Sequence, residues 1–162
     1  MYDGRKGSSS PFEQTVYLLS AAGRAADALL ADRWRARSMG QTHLAVLSAL
    51  ARQGAHARPD LAARLRLPAP EVSRALDELL EAALVQSMVV QVNGRHEVVT
   101  LTAAGEAALE GLHGDAAAVQ EELLAPLTKG QRTELNALLR RVCAKAARAA
   151  AGSQPAPDRA AG

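Results

Sequence analysis

Cysteine, aromatic residues and long apolar runs are all scarce in this sequence, and each scarcity excludes something. The single cysteine, Cys143, rules out an intramolecular disulfide framework and a cysteine-based zinc site. No apolar stretch approaches the ~18–20 residues that span a bilayer. Residues 1–10 carry two basic side chains with no apolar segment behind them, which is not the pattern of a secretion signal. A cytoplasmic protein without a membrane partner is expected. The only aromatics are Tyr2, Phe12, Tyr17 and Trp34, so the apolar mass is Ala, Leu and Val, which suits closely packed helices. Neither charge sign dominates, with 19 Lys+Arg against 17 Asp+Glu, and that balance permits a nucleic-acid partner without arguing for one. The basic residues are nearly all Arg, which a GC-rich coding genome produces as readily as phosphate binding does.

Chemistry is equally sparse. No nucleophile–base constellation and no Gly-rich phosphate loop is present, so no catalytic site and no cofactor are expected. Four scattered histidines, His56 and His113 among them, lack metal-ligand spacing.

What remains is helical periodicity interrupted once. Residues 1–11 and 151–162, rich in Gly, Ser, Pro and Ala, read as disordered tails. From Phe12 to about Arg37, Val16, Leu19, Gly23, Ala26, Leu30 and Trp34 recur at three- and four-residue spacing and give one apolar face. A second helix fits 41–52 and stops at Gly54. A third starts at Pro59 with Asp60 in its first turn, and a fourth runs from Pro70 to about Ala83. The pattern then turns Val-rich over 84–92 and 95–101. Asn93-Gly94 lies between these runs, which predicts a hairpin closed by a two-residue type I′ turn. Thr102 is the N-cap of a fifth helix over about 103–124, and Thr128-Lys-Gly-Gln131 is a capping box for a sixth over 129–150. Cys143, deep in that sixth helix, is expected to be a buried small hydrophobe.

The short third helix and the longer fourth, joined by residues 67–70 (LPAP), form a helix–turn–helix, and the hairpin behind it forms a wing. The fold class is therefore mainly α with a small β-hairpin wing. It divides into a dimerisation helix (12–40), a winged helix–turn–helix (41–102) and C-terminal dimerisation helices (103–150). The outer helices find no partner within so small a domain, and a second subunit is the simplest cover for them.

The chain resembles the MarR family of regulators over about residues 12–148. The resemblance rests on DLAARLRLPAPEVSRALDELLEAALV (60–85) and NGRHEVVTLTAAGEAAL (93–109). Arg95 falls on the second arginine of the family's Asp-Arg-Arg wing tip, and Leu101, Thr102 and Gly105 match its Leu-Thr and following Gly. Asn93 stands where the family has Asp, Gly94 replaces the first arginine, and Ser87 and Met88 lie where many members are basic. Residues 50–102 hold six Arg (52, 58, 64, 66, 74, 95) and six acids (60, 71, 77, 78, 81, 97), a neutral reading head. The resemblance implies a homodimer that binds double-stranded DNA at a pseudo-palindromic operator, usually as a repressor released by a small-molecule effector. A protein-interaction module built on the same fold is the alternative, with Met88 and the wing valines as its contact patch.

Several residues carry these expectations. Arg74, the only basic residue of the fourth helix, is placed to bond a guanine bidentately, or else to pair with Asp77 or Glu78 on the surface. Ser73 and Asp77 share its polar side. Pro70 and Glu71 lie at the leading end, where Glu71 opposes phosphate unless it accepts from cytosine. Arg64 and Arg66 sit on a helix that crosses the backbone in this motif, and Arg95 with His96 on the wing. For an effector, Tyr17, Arg24, Trp34 and His43 are the candidates, with Arg24 holding an anion. Ordinary core packing is the competing account of the two aromatics. Peroxide-sensing relatives carry a reactive cysteine near the first helix, where this chain has none.

Overall fold

The computed structural model describes residues 14–152. The tail expected over 1–11, most of that expected over 151–162, and a helix start at Phe12 lie outside the described residues. Eight elements follow in order: α1 (Thr15–Arg35), α2 (Gln41–Gln53), α3 (Arg58–Leu65), α4 (Ala69–Glu81), β1 (Val85–Gln91), β2 (Arg95–Leu101), α5 (Ala103–Leu123) and α6 (Lys129–Gly152). The mainly helical chain with one antiparallel hairpin is the fold the periodicities imply. It forms two compact units, one reaching to Gln120 and one from Glu121 onward.

In the first unit, each break between helices has a local cause. Gly54 ends α2 at φ +77°, its N–H bonded to Leu50 O at 2.9 Å. Arg66 ends α3 in the left-handed region at φ +54°, and Leu67 N–H returns to Ala62 O at 3.2 Å. Pro68 and Pro70 then prevent the chain from continuing that helix and start α4 instead. The apolar faces of α2, α3, α4 and the hairpin close on one core. Leu47, Leu61, Leu76, Leu79 and Leu112 are fully buried there with Val46, Val72, Val85 and Val99. Each such side chain contributes about 1.5–3 kcal/mol by leaving water. Trp34 completes the core from α1, and its indole N–H donates to Leu112 O at 3.4 Å. The core-packing account of Trp34 therefore describes its surroundings.

The wing departs from expectation at its tip. Asn93 and Gly94 both have positive φ (+52° and +110°), as a type I′ turn requires. The register, however, pairs Gln91 with Arg95, so Val92, Asn93 and Gly94 form a three-residue loop. Val92 N–H bonds to Gly94 O at 3.1 Å within it. At the other end, β2 gains a short third partner: His56 exchanges two backbone hydrogen bonds with Val99, at 3.1 and 2.8 Å. The base of the wing is fastened to α5. Thr102 donates its N–H to Leu84 O (3.1 Å) and its hydroxyl to Ala83 O (2.8 Å), while that hydroxyl oxygen accepts Gly105 N–H as the N-cap (3.0 Å).

The second unit is built on its own capping box. Thr128 N–H reaches Gln131 Oε1 at 2.9 Å, and Gln131 N–H reaches Thr128 Oγ1 at 3.3 Å. Arg132 closes the bend before α6 by donating to the carbonyls of Leu124 and Leu127 and to Glu121. Cys143 is exposed, contrary to the expected buried position. Helical periodicity puts it on a turn of α6 but does not supply a neighbour, and no described side chain of α6 is buried. In the first unit, Val16, Tyr17, Leu18 and Leu19 of α1 are likewise exposed.

Candidate nucleic-acid interface

Helix α4 has a buried face (Val72, Ala75, Leu76, Leu79) and an exposed face bearing Arg74 and Asp77. Its formal charge is unfavourable for a polyanion, because Glu71, Asp77, Glu78 and Glu81 outnumber the single Arg74. Neighbouring elements engage three of those four acids. Thr42 at the start of α2 donates its hydroxyl to Glu71. Arg58 at the start of α3 donates Nη1 to Asp77 Oδ1 at 2.7 Å. His43 on α2 meets Glu78 Oε2 through Nε2 at 2.6 Å. His43 Nδ1 accepts the Gly40 N–H at 3.0 Å, which caps α2 and leaves Nε2 as the ring nitrogen that donates to Glu78.

Arg74 is left with no ion pair or hydrogen bond to another described residue, so the expected alternative pairing with Asp77 or Glu78 is not the arrangement found. Around it, Pro70 is exposed at the leading end of α4, and Glu71 and Ser73 are half-buried. Arg66 is the left-handed cap of α3, exposed beside the turn. Arg64 is exposed but donates to Gln53 Oε1 at 2.8 Å. Arg95 and His96 are exposed on β2 next to the wing tip, and Arg95 has no partner among the described residues. Ser87 on β1 donates to Glu97. Sequence reasoning missed Thr42 and Arg58: each meets an α4 acid far along the chain, and no local pattern links them.

A second group of charged residues lies where α1 ends. The Arg37 guanidinium grips Asp115 of α5 in a two-pronged contact, Nε to Oδ2 at 2.6 Å and Nη2 to Oδ1 at 3.0 Å. Gly111 makes room for it, since a Cβ there would lie 2.8 Å from Arg37 Nη1. The Arg37 hydrogen bond holds the Asp115 carboxyl below its ordinary value of 3.8, against desolvation, with the charges of Arg37 and Arg33 assisting. A carboxyl lowered in the folded state contributes stability that is fully present above the unfolded value and lost as pH falls through the folded one. Asp115→Asn is therefore expected to melt below wild type at pH 7 and to converge with it in acid. A gap that persists unchanged to pH 2.5 in thermal unfolding would contradict this.

The effector candidates are not brought together. Tyr17 and Arg24 lie on the exposed first half of α1, where Arg24 Nη1 donates to Ser20 Oγ at 2.6 Å. Trp34 borders a hollow of about 350 Å³ with Leu30, Met39 and Gln41. His43 borders another of about 500 Å³ with Arg37, Met39, Glu78 and Leu84. Among the described residues, no group of three or more His, Cys, Asp or Glu side chains could hold a metal ion. No helix among the described residues is long and apolar enough to cross a membrane.

The order of elements finds counterparts in known proteins. The family model described as "MarR family" matches residues 38–95, from the loop before α2 to the wing tip. A probable transcriptional regulator from Pseudomonas aeruginosa superposes with a TM-score of 0.64 at 26% identity, over 80% of this chain and 97% of its own. The match to the MarR family model thus covers the helix–turn–helix and the first strand of the wing. Two further structures share the fold. MarR from E. coli, in its apo form, is 22% identical with a TM-score of 0.69, covering 80% of this chain and 96% of its own. BpsR of Bordetella bronchiseptica is 24% identical with a TM-score of 0.64, covering 84% and 98%; it was solved in work on regulation of its DNA binding by 6-hydroxynicotinic acid. Comparison with curated protein sequences finds no match. The chain thus has the winged-helix fold of MarR-family transcriptional regulators.

Proposed function

We propose that this chain is a homodimeric transcriptional regulator of the MarR type, a repressor that binds a pseudo-palindromic operator and is released by a small molecule. The observation that carries this reading is the charge arrangement on α4. Its one arginine is exposed and has no partner among the described residues, while three of its four acids are engaged by residues of α2 and α3. An arginine so presented matches the O6 and N7 acceptors of guanine in the major groove. Pro70, Glu71, Ser73 and Asp77 border that contact on α4. Arg66 and Arg95, with Arg64 and His96 beside them, supply phosphate and wing contacts on either side.

Dimerisation is favoured by apolar side chains left uncovered at both ends of the chain: Val16, Leu18 and Leu19 on α1, and Leu138 and Val142 on α6. Twofold symmetry then places two copies of α4 about one helical turn of DNA apart, roughly 34–36 Å. For release, a hollow of about 500 Å³ bordered by Arg37, His43 and Glu78 lies against α4. A ligand there acts only through unequal affinity for two dimer states. Trp34 borders the smaller hollow as a second candidate, with Tyr17 and Arg24 on the same helix.

A second reading, a protein-interaction module that no longer binds DNA, is favoured by the exposed wing residues Met88, Val89 and Val92. A mobility-shift assay with DNA flanking the protein's own gene, at low salt, separates the two. A retarded, competitor-resistant complex is expected. No complex from a protein that sediments as a dimer would favour the interaction module.

A further inference from the structure

We propose that Arg58 is a positioning residue that holds Asp77 away from Arg74 and so keeps the reading arginine available to a base. The inference rests on the DNA-binding reading above.

On α4, Arg74 and Asp77 are three residues apart, the spacing at which side chains on a helix meet. Both are exposed. Left to the helix alone, they would pair. The structure instead places Asp77 on Arg58, which enters from the residue after the N-cap of α3 with Nη1 2.7 Å from Asp77 Oδ1. Arg58 is the more enclosed partner, with its side chain 34% exposed against 67% for Asp77, so the carboxylate is drawn toward a better-held cation. Arg74 is correspondingly without a partner among the described residues.

Two consequences follow for a base-reading arginine. A guanidinium bonds guanine through two parallel N–H groups, and a carboxylate on the same fork removes one or both of them. An unmatched Asp77 would also place a negative charge close to the DNA, whereas Arg58 offsets it. Arg58 therefore acts on specificity without itself touching a base.

The test uses the full-length protein and the duplex that wild type enriches from a random-sequence pool. Affinity, its salt dependence, and discrimination against a duplex with the contacted guanines replaced are measured for wild type, Arg58→Ala, Arg58→Ala with Asp77→Ala, and Arg74→Ala. Arg58→Ala is expected to bind about tenfold more weakly and to lose most of its discrimination, as an impaired bidentate contact would. Adding Asp77→Ala is expected to recover both to within about threefold of wild type, because Arg74 is no longer captured. Arg58→Lys, which retains the charge, tests the same contact if the alanine variant folds poorly, and is expected to lie nearer wild type. A double variant as weak as Arg58→Ala, with a salt slope shallower by about 0.9 per arginine lost, would make Arg58 a phosphate contact and overturn the proposal. Wild-type affinity and discrimination in Arg58→Ala would overturn it as well. A wild-type protein that enriches no duplex overturns the DNA reading and this inference together, a result distinct from either of those.

Discussion

Gly105→Ala is expected to destabilise the protein by about 1–3 kcal/mol, although alanine is the better helix former. Gly105 lies in the first turn of α5, buried where the wing returns to the helix. A Cβ on it would stand 2.0 Å from Leu84 O and 2.7 Å from Leu101 Cδ1. The carbonyl belongs to the backbone and cannot swing aside as a flexible side chain would. To admit a methyl group, the start of α5 must move off Leu84. That strains the Thr102 N–H bond to Leu84 O and the Thr102 hydroxyl bond to Ala83 O. Propensity alone would favour alanine by about 0.5–1 kcal/mol, so the clash decides the sign. Gly114, in the same helix, is the control: a Cβ there meets nothing within 4 Å. Gly114→Ala is expected to raise stability by about 0.5–1 kcal/mol. Urea unfolding of the pair checks both, and stabilisation by both would show that α5 does not pack this closely on the base of the wing.

The second large effect concerns DNA. If the proposed dimer reads guanine through Arg74, Arg74→Ala is expected to remove one bidentate contact per subunit, worth about 1–3 kcal/mol per half-site, or about 2–6 kcal/mol of specific binding for the dimer. That corresponds to roughly 30-fold to 10⁴-fold in affinity. Binding to unrelated duplex is expected to change far less, since the exposed Arg66 and Arg95, proposed above as phosphate and wing contacts, remain in place. Fluorescence anisotropy on the specific and a scrambled duplex measures both. Equal losses on the two would place Arg74 on the phosphate backbone, and no loss on either would remove it from the interface.

Much of this was legible in the sequence because the signals are local. Pro68 and Pro70 mark the turn of the helix–turn–helix, Gly54 ends α2, and Thr128 with Gln131 caps α6. Asn93-Gly94 correctly marks the wing tip. The dipeptide supplies positive φ but does not fix the register, and the loop has three residues. Contacts between distant residues were not legible. Arg58 with Asp77, Thr42 with Glu71 and Arg37 with Asp115 join elements that only the fold brings together. The same limit explains Cys143, whose helical position was readable but whose surroundings were not. Gly105 is an intermediate case. The resemblance to the family's Leu-Thr and following Gly singles it out, but only the carbonyl of Leu84 shows why a side chain cannot be accommodated there.

The most direct test of the account is selection of duplexes from a random-sequence pool by the full-length protein at low salt, together with its sedimentation. A dimer reading two major grooves through Arg74 should enrich an inverted repeat with guanine at a fixed place in each half and half-site centres about 10–10.5 base pairs apart. A protein that sediments as a dimer yet enriches nothing, or enriches sites without symmetry, would contradict it.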